Sequence, residues 1–204
     1  MTSYNIFTKH AEKMLKKVSG SRPVLQGAYH QADGSVVATD SHRLYKLHNG
    51  YQTEQSFIQN LTTGNMIDGN YPDTSKLIPE AQDAQHSFMV NVKELHDAAK
   101  AMLTAHKAVN APKGHITLSF TTVEDVCVLK AGSDSDKFQA TCNVATIIDV
   151  DMNIHFQPSF LIDALALFKD AGETEIKVLT YGNMRPFILE SKDVTALILP
   201  VRVY

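Results

Sequence analysis

The chain has 204 residues, 44% hydrophobic and 20% charged, with a formal net charge of −3. This is the composition of a globular protein of one large domain or two small ones, and it excludes disordered, collagen-like and fibrous classes. No apolar run reaches the roughly 18 residues needed to cross a bilayer, and the lysine-bearing N-terminal stretch is no signal peptide, so a cytoplasmic location is expected.

Three segments share one layout: a short strand, an amphipathic helix, then several strands. The first runs from a strand at Tyr4-Asn5-Ile6 into a helix from Phe7 to Val18. Phe7, Ala11, Met14, Leu15 and Val18 recur at the helical period on one face, with Lys9, Lys13, Lys16 and Lys17 on the other. Val24 to His30 and Ser35 to Leu47 read as strands around an Asp33-Gly34 turn. The polar stretch from Pro79 to Gln85 reads as a linker, which places a domain boundary near residue 82.

The second segment runs from a strand at Phe88–Val92 into a helix from Lys93 to Lys107. Leu95, Ala98, Ala99, Met102 and Leu103 form its apolar stripe, opposite Lys93, Lys100, Thr104 and Lys107. Strands follow at His115–Phe120, Val126–Ala131 and Phe138–Ala145. The third runs from Met152–Phe156 into a helix from Pro158 to Ala171, where Phe160, Leu161, Ala164, Leu165 and Phe168 face inward and only Lys169 is basic outside. Strands at Glu175–Thr180, Pro186–Glu190 and Val194–Pro200 complete the chain. Asn5 and Asn91 are candidate helix caps, and Pro158 suits a first helical turn. A repeat this long fits α+β modules in which one helix covers a sheet.

The residues make no positive case for an enzyme. The nine histidines include no HExxH or Cys/His spacing. Asp40-Ser41-His42 is too compressed for a catalytic triad, whose members meet through the fold. There is no phosphate-binding loop and no nucleophile elbow. Asp149 and Asp151 alone make a poor metal site and read as a solvated strand end. No cofactor and no metal are expected. Cys127 and Cys142, each in an apolar strand, read as buried thiols in a reducing compartment.

Three segments, the first of them in two parts, occur in a fixed order. Arg22-Pro23-Val24-Leu25-Gln26-Gly27 precedes Val37-Ala38-Thr39-Asp40-Ser41-His42-Arg43-Leu44. Asn70-Tyr71-Pro72-Asp73-Thr74-Ser75-Lys76-Leu77-Ile78-Pro79 comes next, and Leu197-Ile198-Leu199-Pro200-Val201-Arg202-Val203-Tyr204 comes last. Together they resemble the bacterial DNA polymerase III β subunit, the sliding clamp, which carries R-P-x-L-x-G, A-T-D-G-H-R-L, F-P-D-Y-x-x-x-I-P and a final M-P-x-R-L. The stretch Phe156–Ala164 resembles that family's F-N-x-x-Y-L-x-D-A-L.

The resemblance implies a DNA-clamp fold of class α+β, with helices packed on antiparallel sheets in three strand-helix-strand half-modules. It implies a partial middle domain over residues 1–82 and a complete C-terminal domain over 83–204. No counterpart of the family's N-terminal domain is expected, and the gap between Leu44 and Tyr71 is too short for the other half of the middle domain. Ser41 stands where the family has glycine, beside the implied pocket.

The implied function is a processivity factor that tethers replication or repair proteins to duplex DNA. Its pocket for short linear peptides of a polymerase or clamp loader would use Thr39, His42, Arg43 and Leu44, then Pro72, Lys76 and Leu77, then Leu197, Ile198, Leu199, Pro200, Val201 and Arg202. Lys9, Lys13, Lys16, Lys17, Lys93 and Lys100 would contact phosphates without reading sequence. A single unpaired half-module would leave a sheet and a helix face exposed, favouring self-association into a ring of four or three chains. The rival expectation is a peptide-binding regulator or decoy that never encircles DNA.

Overall fold

The computed structural model describes residues 4–108, 118–132, 139–146 and 152–202. The first helix, α1, spans Tyr4–Leu15 and takes up the stretch expected to be a strand. Tyr4, Phe7, Ala11 and Met14 share one helical face, and Tyr4 already packs on the core, so burial draws the helix back to it. Asn5 therefore lies inside the helix and is not its cap.

A 3-10 turn at Pro23–Gln26 replaces the first half of the expected strand, since Pro23 has no N–H to give a ladder. Strand β1 is Ala28–His30, β2 is Val36–Thr39, β3 is Arg43–Leu47 and β4 is Phe57–Gln59. The run from Ser35 to Leu47 is thus a hairpin, reversed at Asp40–His42. Strand β5, His86–Asn91, leads into α2, Val92–Ala108, where the Asn91 side chain accepts a hydrogen bond from the Glu94 N–H and caps the helix. Strands β6 (Leu118–Val123), β7 (Val126–Ala131), β8 (Ala140–Thr146) and β9 (Asn153–Phe156) follow, then α3 (Pro158–Asp170). The last strands are β10 (Glu175–Thr180), β11 (Phe187–Glu190) and β12 (Val194–Ile198).

The strands form an eight-stranded sheet, β4-β1-β2-β3-β12-β11-β10-β5, and a four-stranded sheet, β8-β7-β6-β9, antiparallel throughout. One pattern generates both. Each helix is followed by a three-strand meander: β1-β2-β3, β6-β7-β8 and β10-β11-β12. A fourth strand sits beside the first of each meander. In the second and third units it is crossed over from the other, β9 beside β6 and β5 beside β10. In the first unit the slot is filled by β4, a strand the sequence reading did not foresee. Ile58 of β4 is 4% exposed, and Leu61 just beyond it packs against the core. The sheet edge expected to lie open is therefore covered by the chain itself.

The main core lies between the helices and the inner faces of both sheets. Phe120 of β6, Phe156 of β9 and Phe187 of β11 meet with ring centroids 5.0, 5.5 and 5.1 Å apart, which locks the two sheets together. The outer face of the large sheet carries a second cluster, with Val37, Leu44, Leu179, Tyr181, Ile188 and Leu197 under the strap of residues 71–84. The expected linker is the end of this strap: Ala81–Asp83 form a 3-10 turn and the Gln85 N–H bonds to Thr180 O. Cys127 is buried on β7, and burial pushes its thiol up to about 12. Cys142 on β8 is half-buried, stands opposite Leu129 rather than Cys127, and both thiols are free.

His30 is fully buried, stacked on Phe57 of β4 at 4.5 Å with its Nε2 2.7 Å from the Tyr4 hydroxyl. Burial lowers its pKa, and likewise those of His48, His86, His96 and His155. The unfolded chain therefore takes up protons near pH 6.5 that the folded chain refuses, so this part of the stability is present above that pH and is lost as pH falls below it. Urea titrations should show a lower midpoint at pH 5.5 than at pH 7.5; equal midpoints would contradict the burial of these rings.

Candidate functional site

Alternation along β3 and β12 decides what faces the strap. Leu44 and Leu197 point outward, while Tyr45, Leu47, Val194, Ala196 and Ile198 point into the main core. The pairing continues past the strand ends, where the Leu199 N–H donates to His42 O at 2.9 Å. The strap rests on the sheet through Tyr71, stacked on Tyr29 at 5.1 Å, and the Tyr181 hydroxyl donates to Pro79 O. At the strap's edge these elements leave an apolar cavity of about 280 Å³, lined by Thr39, Ser41, His42, Arg43, Leu44, Pro72, Thr74, Leu77, Leu197 and Leu199, with Leu25 and Pro186.

Most of the sequence-derived pocket residues thus meet at one place, and several do not. Ile198 is fully buried on the opposite face of β12. Lys76 is exposed, with its Nζ 3.6 Å from Asp73. Pro200, Val201 and Arg202 do not line the cavity, because the Val201 N–H bonds to His155 O and carries the chain toward β9. Four lining residues were not in the sequence-derived set. Leu25 lies within the R-P-x-L motif and Ser41 had been marked as lying beside the pocket. Thr74 lies three residues before Leu77, whereas nothing in the sequence pointed to Pro186.

The tight turn at the cavity's rim is held by Asp40. Its carboxylate accepts from the His42 N–H at 3.0 Å, the Arg43 N–H at 2.9 Å and Arg43 Nε at 3.1 Å. Thr39 Oγ1 donates to Arg43 O, so its hydroxyl is used within the turn. Ser41 has φ +73°, the left-handed region where glycine is at ease. Its Oγ accepts from Arg22 Nη1 at 2.9 Å. The Arg43 side chain turns inward, 1% exposed, with Nη1 2.9 Å from Asp163 Oδ2 of α3 and its guanidinium 4.8 Å from the Phe160 ring. Its charge is met inside the protein by Asp40 and Asp163.

Asp163 also takes Lys13 Nζ at 2.7 Å. Burial alone would raise the Asp163 pKa, but the hydrogen bonds from Lys13 and Arg43 hold it below the ordinary carboxylate range. Lys9 and His10 both reach Asp170, at 2.8 and 2.9 Å. Lys16 pairs with Glu12 and Lys93 with Asp97. The lysines of α1 thus lean on the acids of α3, and among the described residues only Lys17 and Lys100 of the phosphate-contact candidates have no ion pair. No three His, Cys, Asp or Glu side chains cluster to hold a metal among the described residues. Asp149 and Asp151 lie outside them.

The architecture is the DNA-clamp fold. The structure superposes on the Bacillus subtilis DNA polymerase sliding clamp with a TM-score of 0.75 at 24% identity, over 100% of this chain and 64% of that one. The Streptococcus pneumoniae DNA polymerase III β chain gives 0.76 at 21%, with the same coverage. No family model matches the chain. Among curated proteins it is 32% identical over 173 residues to the β sliding clamp of Bacillus subtilis, across 83% of this chain and 41% of the relative. The Staphylococcus aureus β sliding clamp is 32% identical over 145 residues, 68% of this chain and 36% of the relative. The chain belongs to the bacterial sliding-clamp family, and it spans less than half the length of these curated relatives.

Two substitutions test the rim. Arg43→Ala leaves Asp163 and Asp40 without their buried partner and should lower stability by about 3 kcal/mol in chemical denaturation. Ser41→Gly relieves the left-handed serine and should raise it by about 0.5–1 kcal/mol, net of the extra freedom of the unfolded chain. A neutral Arg43→Ala would mean that its ion pairs do not hold the turn.

Proposed function

We propose that the chain is a non-enzymatic, sliding-clamp-like processivity factor whose cavity receives a short linear peptide from replication or repair proteins. The carrying observation is the apolar cavity between β3, β12 and the strap. Its size, about 280 Å³, suits a few aliphatic or aromatic anchors rather than a cofactor. Thr39, His42, Leu44, Pro72, Leu77, Leu197 and Leu199 supply walls and rim; Arg43 shapes the turn beneath them. Lys76, Pro200, Val201 and Arg202 belong to the same reading only as flanks a longer peptide would reach. The division into residues 1–82 and 83–204 also belongs to it, with β3 against β12 as the seam. In this reading Lys9, Lys13, Lys16, Lys17, Lys93 and Lys100 contact the phosphates of duplex DNA, and copies of the chain associate around it.

One observation favours a second reading, a clamp-derived regulator that binds partner peptides without encircling DNA. Lys9 and Lys13 are turned onto Asp170 and Asp163, which cancels much of the charge that α1 would offer to phosphate. The Lys9–Asp170 pair is solvent-exposed and weak, whereas Lys13 is held by the half-buried Asp163, so phosphate contact by α1 should be confined to low salt.

Leu77 is 50% exposed at the cavity mouth, so Leu77→Ser leaves the core intact. It should weaken binding of a fluorescent clamp-binding peptide about tenfold, from the lost apolar contact. Absence of binding by the unsubstituted protein would remove both readings. Retention on circular but not linear duplex separates the first from the second.

A further inference from the structure

Asp163 on α3 divides its carboxylate between the two candidate faces of the protein. Oδ1 accepts from Lys13 Nζ at 2.7 Å, on the lysine face of α1. Oδ2 accepts from Arg43 Nη1 at 2.9 Å, beneath the rim of the apolar cavity. The two cations differ in freedom: the Lys13 side chain is 61% exposed and that of Arg43 is 1% exposed. Arg43 Nε also reaches Asp40, whose carboxylate holds the His42 and Arg43 N–H groups of the rim turn. A second contact ties α3 to the same turn, the Phe160 ring lying 5.9 Å from that of His42. An exposed cation on one surface and a buried cation under the other thus share one carboxylate.

We propose that Asp163 is a positioning residue for the peptide cavity and couples it to α1. Phosphate that engages Lys13 strengthens peptide binding, and a bound peptide strengthens the phosphate contact by the same factor. The proposal rests on the peptide and phosphate sites proposed above and adds a link between them. The responsive element is the rim turn. Ser41 holds φ +73°, a conformation that a residue with a Cβ keeps only while its surroundings impose it. Arg43, drawn down onto Asp40 and Asp163, imposes it from below. Lys13 weakens that pull, because it offsets part of the Asp163 charge and repels Arg43 across the shared carboxylate. When phosphate draws Lys13 away, Asp163 is left wholly to Arg43 and the turn is held more firmly. A peptide then meets walls that are in place for a larger share of the time, and its apparent affinity rises by that share.

Anisotropy of a fluorescent clamp-binding peptide reads the coupling first without DNA. Lys13→Met removes the competing cation from an exposed position and should tighten binding about threefold. Lys13→Arg keeps the pair and should bind as the unsubstituted chain does. Lys9→Met removes an equal charge one turn away, from Asp170 rather than Asp163, and should change nothing. With a short linear duplex at low salt, the unsubstituted chain should gain about the same threefold and Lys13→Met should gain none. Equal affinity of Lys13→Met and the unsubstituted chain would overturn the proposal. So would a Lys9→Met effect as large as that of Lys13→Met, or a duplex effect that survives Lys13→Met. Duplex binding is followed in the same solutions. Duplex that binds yet leaves peptide affinity unchanged sinks the coupling alone. Duplex that does not bind removes the phosphate site and the coupling with it, and a chain that binds no peptide removes the cavity reading and the coupling together.

Discussion

Five residue pairs along β3 and β12, from Leu47 opposite Val194 to Arg43 opposite Ile198, join parts of the chain about 150 residues apart in sequence. The large sheet is continuous only because of them. They also set the cavity, since antiparallel register places Leu44 opposite Leu197 on the outer face and carries Leu199 to His42. A shift of one residue would turn these leucines into the core and Tyr45 and Ile198 out to solvent.

Arg43 secures that register from inside. Its guanidinium bonds to Asp40 in its own turn and to Asp163 on α3, so turn, strand and helix share one buried charge. Buried ion pairs bring little net stability against an apolar alternative, but they penalise any arrangement in which one partner is left alone. The turn they fix carries Ser41 in a left-handed conformation at the cavity's rim. There a side chain replaces the family's glycine and holds Arg22 across the rim. The network also explains why α1 is electrically quiet: Asp163, placed to meet Arg43, takes Lys13 as well.

The helices, most strands and the cavity's chief walls were legible in the sequence because hydrophobic period and motif order are local signals. The misreadings came from contacts local signals do not carry. Tyr4 is helical because its ring has a place on the core. Ser35–Leu47 folds back because Asp40 gathers three N–H donors into a turn. Strand β4 exists because a sheet edge beside β1 had no other partner. Ile198 and Leu199 are equally apolar in sequence, and only the pairing with β3 assigns one to the core and the other to the cavity.

By itself the sequence determined the α+β class, the three repeated units and the clamp resemblance, since each rests on residue spacing along the chain. Tertiary structure decided which charges are free and which edges are open. The lysine face of α1 looks basic in sequence and is largely neutralised by α3, because the sign of a surface depends on what packs beside it. The first unit looks incomplete in sequence and is closed by β4, because backbone N–H and C=O groups take whatever partner the fold brings within reach.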